Sequence, residues 1–261
     1  MISLFTAAIA AIPFHWDLDE GAHHRWVMES QVALPGHIWL YADQNVDVRV
    51  RSLRTQLVVD CVVTAGAITM QCDVQDASLA GQTYPNEAGL LQVVLDEIDA
   101  KLTGARIELE LRGDGRVKGT KVALVPLRDA NNRRTRHTAE MVRMIVQRTF
   151  APLDLQIPRQ GLEEGGWPQY HASLLQLLTL QGTAGGGKLV HHAQHWGEDR
   201  AIVATAGRAT LIDGATMIRR PIPFDTHLTG HTVLDTRRGT LAEARWEIYG
   251  EPTASAGISI P

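Results

Sequence analysis

Period-two spacing in Leu57-Val58-Val59-Asp60-Cys61-Val62-Val63 puts Leu57, Val59, Cys61 and Val63 on one face of a strand. Ile68, Met70, Cys72 and Val74 alternate with Thr69, Gln71 and Asp73 to give a second strand. Between them, a two-residue loop that begins with Gly66 is the pattern of a type II′ hairpin turn. Folding about Gly66-Ala67 pairs Val63 with Met70 and sets Cys61 opposite Cys72 on the apolar face. Directly opposed residues have Cα atoms roughly 4.5 to 5.5 Å apart, within reach of a disulfide. Two buried free thiols are the alternative, since cysteine packs as a small hydrophobe. With no third cysteine in the chain, a thiolate zinc site or a CxxC redox pair is excluded.

The same alternation extends outward from this hairpin. Residues 26–34 and 38–42 read as strands separated by Pro35-Gly36, and Val46, Val48 and Val50 alternate with Asp47 and Arg49. One apolar and one polar face per strand belong to antiparallel sheets. Pro85-Asn86-Glu87 then opens a helix whose Leu90, Leu91, Val94, Leu95, Ile98 and Leu102 form an apolar stripe, and Gly104 ends it. Ile107, Leu109 and Leu111 oppose Glu108, Glu110 and Arg112 before Gly113-Asp114-Gly115 turns the chain into a strand over 117–125. A second helix is expected over 133–149, with Met141, Val142, Met144 and Ile145 inward. Its five arginines (133, 134, 136, 143 and 148) read more simply as a solvated face than as a lipid-binding one. The predicted fold is α+β: a mostly antiparallel, curved, half-barrel-like sheet with two amphipathic helices packed on it.

A polar break at 159–166 separates this part from further strand-like segments. The expected organisation is a signal peptide or its remnant at 1–11, a β-rich portion with two helices at 12–158, a second β-rich portion at 167–251 that extends the same sheet or forms another, and a flexible tail at 252–261. Each half ends in a strand and tight turn, Leu111 to Arg116 and Leu234 to Leu241, though turn chemistry alone would create that similarity. At 44% hydrophobic and 21% charged residues the composition is that of an ordinary folded chain. A formal charge of −4 offers no footprint for nucleic acid. The apolar run from Ile2 to Phe14 is too short to span a bilayer, but Ala8-Ile9-Ala10 supplies the small-x-small pattern of a secretory cleavage site. Cleavage would start the mature chain between Ile12 and Asp17, in an oxidising compartment that suits the cysteines: periplasmic or secreted.

Three patterns tempt a catalytic or cofactor reading. Gly182 to Lys188 has P-loop spacing, but Leu189 replaces the Ser or Thr that would hold magnesium, so a Gly-rich turn is the better reading. His191 and His195 would share a face of a helix, but in a strand they stand about 13 Å apart. They, with His227 and His231, are weak metal candidates. Ser173 lacks a nucleophile-elbow sequence, and Glu163-Glu164 sits beside glycines in a loop. The chain is therefore read as a non-enzyme without a cofactor.

A signal-like start, a curved antiparallel sheet and amphipathic helices together resemble the exported half-barrel proteins of bacterial envelopes that handle lipids or lipoproteins. Leu155-Gln156-Ile157-Pro158 with Gly165-Gly166-Trp167, and later Phe224-Asp225 and Leu234-Asp235, are also similar to exported bacterial β-proteins of unknown function. The resemblance implies a non-catalytic binding protein of the envelope for an apolar or lipid ligand. Its pocket would be lined by Leu57, Val59, Met70 and Val74 of the sheet and Leu91, Val94, Leu95 and Ile98 of the helix. The alternatives are a structural or adaptor protein that binds an envelope partner, and a metal-dependent hydrolase built on the histidines.

Overall fold

The computed structural model describes residues 11–33, 38–41, 47–64, 69–112, 117–123, 142–143, 145–146, 149–150, 157–158, 161–163, 166–169, 183–213 and 222–252. Its first half contains β1 (Ala11–Ile12), β2 (His23–Ala33), β3 (Ile38–Tyr41), β4 (Asp47–Thr64) and β5 (Thr69–Thr83), then α1 (Ala88–Leu102), β6 (Arg106–Leu111) and β7 (Val117–Ala123). The second half contains β8 (Leu162–Glu163), β9 (Trp167–Gln169), β10 (Thr183–His195), β11 (Arg200–Asp213), β12 (Ile222–Asp235) and β13 (Thr240–Pro252). One open mixed sheet runs β7-β6-β5-β4-β2-β13-β12-β11-β10-β9, with β3 also on β4. Each half is an antiparallel meander, and the two meet where β2 and β13 run parallel. Of the two similar turns, residues 113–116 of the first lie outside the described residues; β7 ends at one edge of the sheet, whereas β13 lies at its centre beside β2.

The expected alternation is present in the burial. Leu57, Val59, Cys61 and Val63 of β4 and Met70, Cys72 and Val74 of β5 all face the core. Segments read separately as Val46 to Val50 and Leu57 to Val63 are parts of the single 18-residue β4, along which β2 and β3 lie end to end. Val63 pairs with Met70 and Cys61 with Cys72 in the expected register, and the sulfurs are at bonding distance. The paired Cα atoms are 3.9 Å apart, closer than the expected spacing. The Gly66-Ala67 turn itself lies outside the described residues.

After a 3₁₀ turn at Pro85–Glu87, α1 packs Leu91, Val94, Leu95, Ile98 and Leu102 onto β4 and β5 and stops at Gly104, whose φ is +79°. Leu90 is not part of this stripe but is 46% exposed. At 100° per residue it falls about a quarter-turn from the line through Leu91, Leu95, Ile98 and Leu102. The second expected helix falls largely outside the described residues; Val142, Arg143, Ile145, Val146 and Thr149 are helical, and Val142, Ile145, Val146 and Phe150 are buried. Phe150 meets Trp26 with ring centroids 6.3 Å apart, and Thr149 is 3.3 Å from Ser30, so this turn lies over β2.

The segment before β2 belongs to the core, with Ile12 and Phe14 1% and 4% exposed. A mature chain beginning at Ile12 would keep both; one beginning at Asp17 would lose both. Gly182 to Lys188, read as a turn, is strand from Thr183, with a register shift between Ala184 and Gly187. Glycines enter a strand where a bulge or close backbone approach needs them.

Replacing Cys61 and Cys72 together by alanine is expected to lower unfolding free energy by about 2 to 3 kcal/mol, the chain-entropy value for so short a loop. Urea denaturation of the two proteins measures it. An unchanged midpoint would show that the bond does not clamp the sheet.

Candidate functional site

At one end of the sheet the β10–β11 and β12–β13 turns lie beside the start of β2, because Arg200 pairs with Asp235 and Thr240 reaches His24. The segment 12–19 crosses this end. Ile12 pairs with Leu162 of β8, and the Asp17 N–H donates to the Gly239 carbonyl at 2.7 Å. Gly21 donates to Val63 and Val63 to Ala22, each at 3.0 Å, which ties the segment to the cysteine hairpin. Gly239 permits the close approach: its φ is +61°, and a Cβ there would collide with the His15 carbonyl. Between segment and turns remains a half-open cleft of about 940 Å³, within the size range of small-molecule sites.

Charge dominates the cleft walls. Arg25, Arg200, Arg237 and Arg238 face Asp17, Asp19 and Asp235, which leaves one net positive charge before any histidine is protonated. Backbone N–H groups already occupy two of the acids, Arg238 donating to Asp235 at 2.8 Å and Asp19 to Asp17 at 3.2 Å. Arg237 stands 3.5 Å from Asp199 and Arg25 3.9 Å from Asp60, exposed pairs of little energetic weight. Among the described residues, Arg200 and Arg238 have no side-chain hydrogen bond or ion pair. Ile12, Trp16, Leu18 and Leu241 add apolar wall.

His24 is the buried polar member of the wall, 3% exposed. Its Nδ1 lies 2.7 Å from Thr240 Oγ1, which also accepts the Trp26 indole N–H at 3.2 Å. Nε2 is sealed from water and has no hydrogen bond of normal geometry among the described residues. Burial lowers the His24 pKa, against a smaller opposing pull from the Asp17 carbonyl and carboxylate. His191 repeats this pairing in the second half, with Nδ1 2.8 Å from Thr205 Oγ1 and its ring 5.3 Å from that of Trp167. Burial, with a smaller contribution from His192, pushes its pKa down to about 4.

The residues expected to line an apolar pocket lie elsewhere. Leu57, Val59, Met70 and Val74 pack with Leu91, Val94, Leu95 and Ile98 in one core, none more than 4% exposed, and none lines the cleft. The weak metal candidates separate: His191 points inward, His195 is exposed at the cleft, His227 is exposed, and half-exposed His231 is 3.6 Å from Glu243. The described residues hold no group of three or more ligating side chains suited to a metal. Ser173, Glu164 and the side chain of Glu163 are outside the described residues. Among the described residues no helix is long and apolar enough to cross a membrane.

The cleft residues escaped the sequence reading because they come from three distant stretches around 12–25, 195–200 and 235–242. The available signal was Asp235-Thr236-Arg237-Arg238-Gly239, a turn more cationic than a turn requires. No protein-family model matches the chain, and no curated protein or solved structure is detectably similar to it.

The depressed His191 pKa has a defined consequence. The folded state resists protonating a ring that the unfolded chain protonates near 6.5, so stability present above that pH is lost as pH falls to about 4. The loss from this residue is on the order of 3 kcal/mol. Denaturation of wild-type protein and His191→Gln across this range measures it; equal slopes for the two would remove the assignment.

Proposed function

We propose that this protein is a non-catalytic binding protein of an oxidising compartment, such as the bacterial envelope, and that it holds a small ligand in the cleft beneath segment 12–19. The observation that carries the reading is a cleft of about 940 Å³ between hydrogen-bonded elements, with two arginines in its walls, Arg200 and Arg238, whose side chains have no hydrogen bond or ion pair among the described residues. The paired, buried Cys61 and Cys72 support the compartment. The apolar ligand expected between α1 and the sheet gains no support there, since those side chains pack against one another. An amphipathic ligand remains within the reading, because Ile12, Trp16 and Leu241 border the charged wall.

The two His–Thr pairs do not favour hydrolysis. Thr205 is buried; Thr240 borders the cleft, but its Oγ1 is already engaged by Trp26, His24 and the Leu241 carbonyl.

Thr236→Trp places an indole in the exposed turn of the cleft wall and is expected to block it. A thermal-shift screen of small metabolites should yield ligands that stabilise the wild type, by about 2.7 kcal/mol at a hundredfold excess over Kd, and fail to stabilise the variant. Ligands that raise both melting temperatures equally would place binding elsewhere.

A further inference from the structure

We infer that the cleft recognises an anionic group, a carboxylate or phosphate, chiefly through Arg200 and Arg238. This rests on the cleft reading above and adds the chemical class of the ligand. Arg200 opens β11 and Arg238 sits in the β12–β13 turn, and the two are brought together because Arg200 is the strand partner of Asp235. Asp235 would be the natural counter-ion for both. Its Oδ1 instead accepts the Arg238 backbone N–H, forms no ion pair with either guanidinium among the described residues, and so fixes the turn. Two exposed guanidiniums are left on one wall of the half-open cleft.

A guanidinium presents planar, paired donors that match the two oxygens of a carboxylate or phosphate. Arg25 and His23 on β2 face the same space and extend the donor surface. The turn is held by Thr236 N–H donating to Asp199 O and by the Asp17 N–H donating to Gly239 O. The backbone that carries the donors is thus held before binding, and the two exposed arginine side chains are what binding must order. A cation would instead meet lining carboxylates of which two of three are already engaged by backbone N–H groups.

The test uses the full, disulfide-intact chain. Calorimetry with inorganic phosphate, and flotation with phosphatidylcholine vesicles with and without phosphatidylglycerol, separate a free anion from a lipid headgroup. Arg200→Gln and Arg238→Gln should each weaken binding at least about tenfold, as expected for a charge-assisted contact. Arg106→Gln, which removes an exposed partner of Asp73 outside the cleft, should leave binding unchanged. Phosphate binding lost in the double variant supports a free anion; vesicle binding that needs phosphatidylglycerol and is lost in the double variant supports a headgroup. No binding to either probe, or equal binding by the double variant and the Arg106 control, overturns the inference. Screen ligands that remain sensitive to Thr236→Trp but indifferent to both arginines would overturn the anionic class alone; loss of the Thr236→Trp sensitivity overturns the cleft reading itself.

Discussion

The arrangement depends on one pairing, the parallel contact between β2 and β13. Most other neighbours in the main sheet are close in sequence and antiparallel, so each meander can form locally; this pair joins residue 27 to residue 243. Parallel pairing is slightly the weaker kind per residue, and closing so long a loop carries an entropy cost. Packing offsets it from both sides of the sheet. Inside, Trp26, Met28, Trp246 and Ile248 are among the most buried side chains in the protein. Outside, Glu29 lies 2.8 Å from Arg54 and 3.4 Å from Arg245, and Arg245 continues to Glu247 at 2.8 Å. The hydrogen bond from Tyr249 is the main cause that lowers the Glu247 pKa and keeps that carboxylate charged at the end of the network. Glu29 is only 8% exposed, so its two arginines compensate for its desolvation. Such non-local closure also predicts slow folding, because neither meander gains the seam until the other has formed.

The seam also builds the cleft. Its register, continued past its paired residues, brings Thr240 against His24. His24 in turn lies opposite Cys61, and Cys61 opposite Cys72, so one row of inward residues runs from the cleft wall to the disulfide. The bond therefore fixes the strand beside the cleft. Slippage by one residue would turn every inward side chain of the slipped strand outward and move His24 away from Thr240.

Local order was legible in the sequence where period and turn chemistry agree. The Cys61–Cys72 register, the α1 stripe and the Ile107-Leu109-Leu111 face each need only a dozen neighbouring residues to specify them. The seam was not legible, because the alternation in Trp26 to Val32 states which face is buried but not which strand lies alongside. The P-loop-like glycines misled in the opposite direction: β11 pairs with Thr183 and Ala184 and again with Gly187, so the chain is strand there, with Gly185 and Gly186 in the register shift between them. The cleft was the least legible feature, since none of its three stretches has a periodic pattern and their proximity follows from the seam.

The two meanders bury different mixtures of side chains. Inward residues of β4 and β5 are mostly apolar, Leu57, Val59, Met70 and Val74 among them, with Thr55 the buried polar exception, and α1 packs on these strands. Inward positions of β10 to β12 mix Leu189, Val203, Leu228 and Leu234 with Ala193, Ala201, His191, Thr205, Thr226 and Thr232. Leu and Met contribute transfer free energy in proportion to the area they bury; a buried imidazole or hydroxyl contributes only when its partner is in place. The first meander therefore carries stability at little risk. The second spends part of its interior on oriented polar contacts, and its turns supply Arg200 and Arg238 to the open end. The anion site proposed for this cleft would need donors held by a backbone that does not yield; the β11, β12 and β13 ladder offers such a backbone, and the apolar half supplies stability behind it.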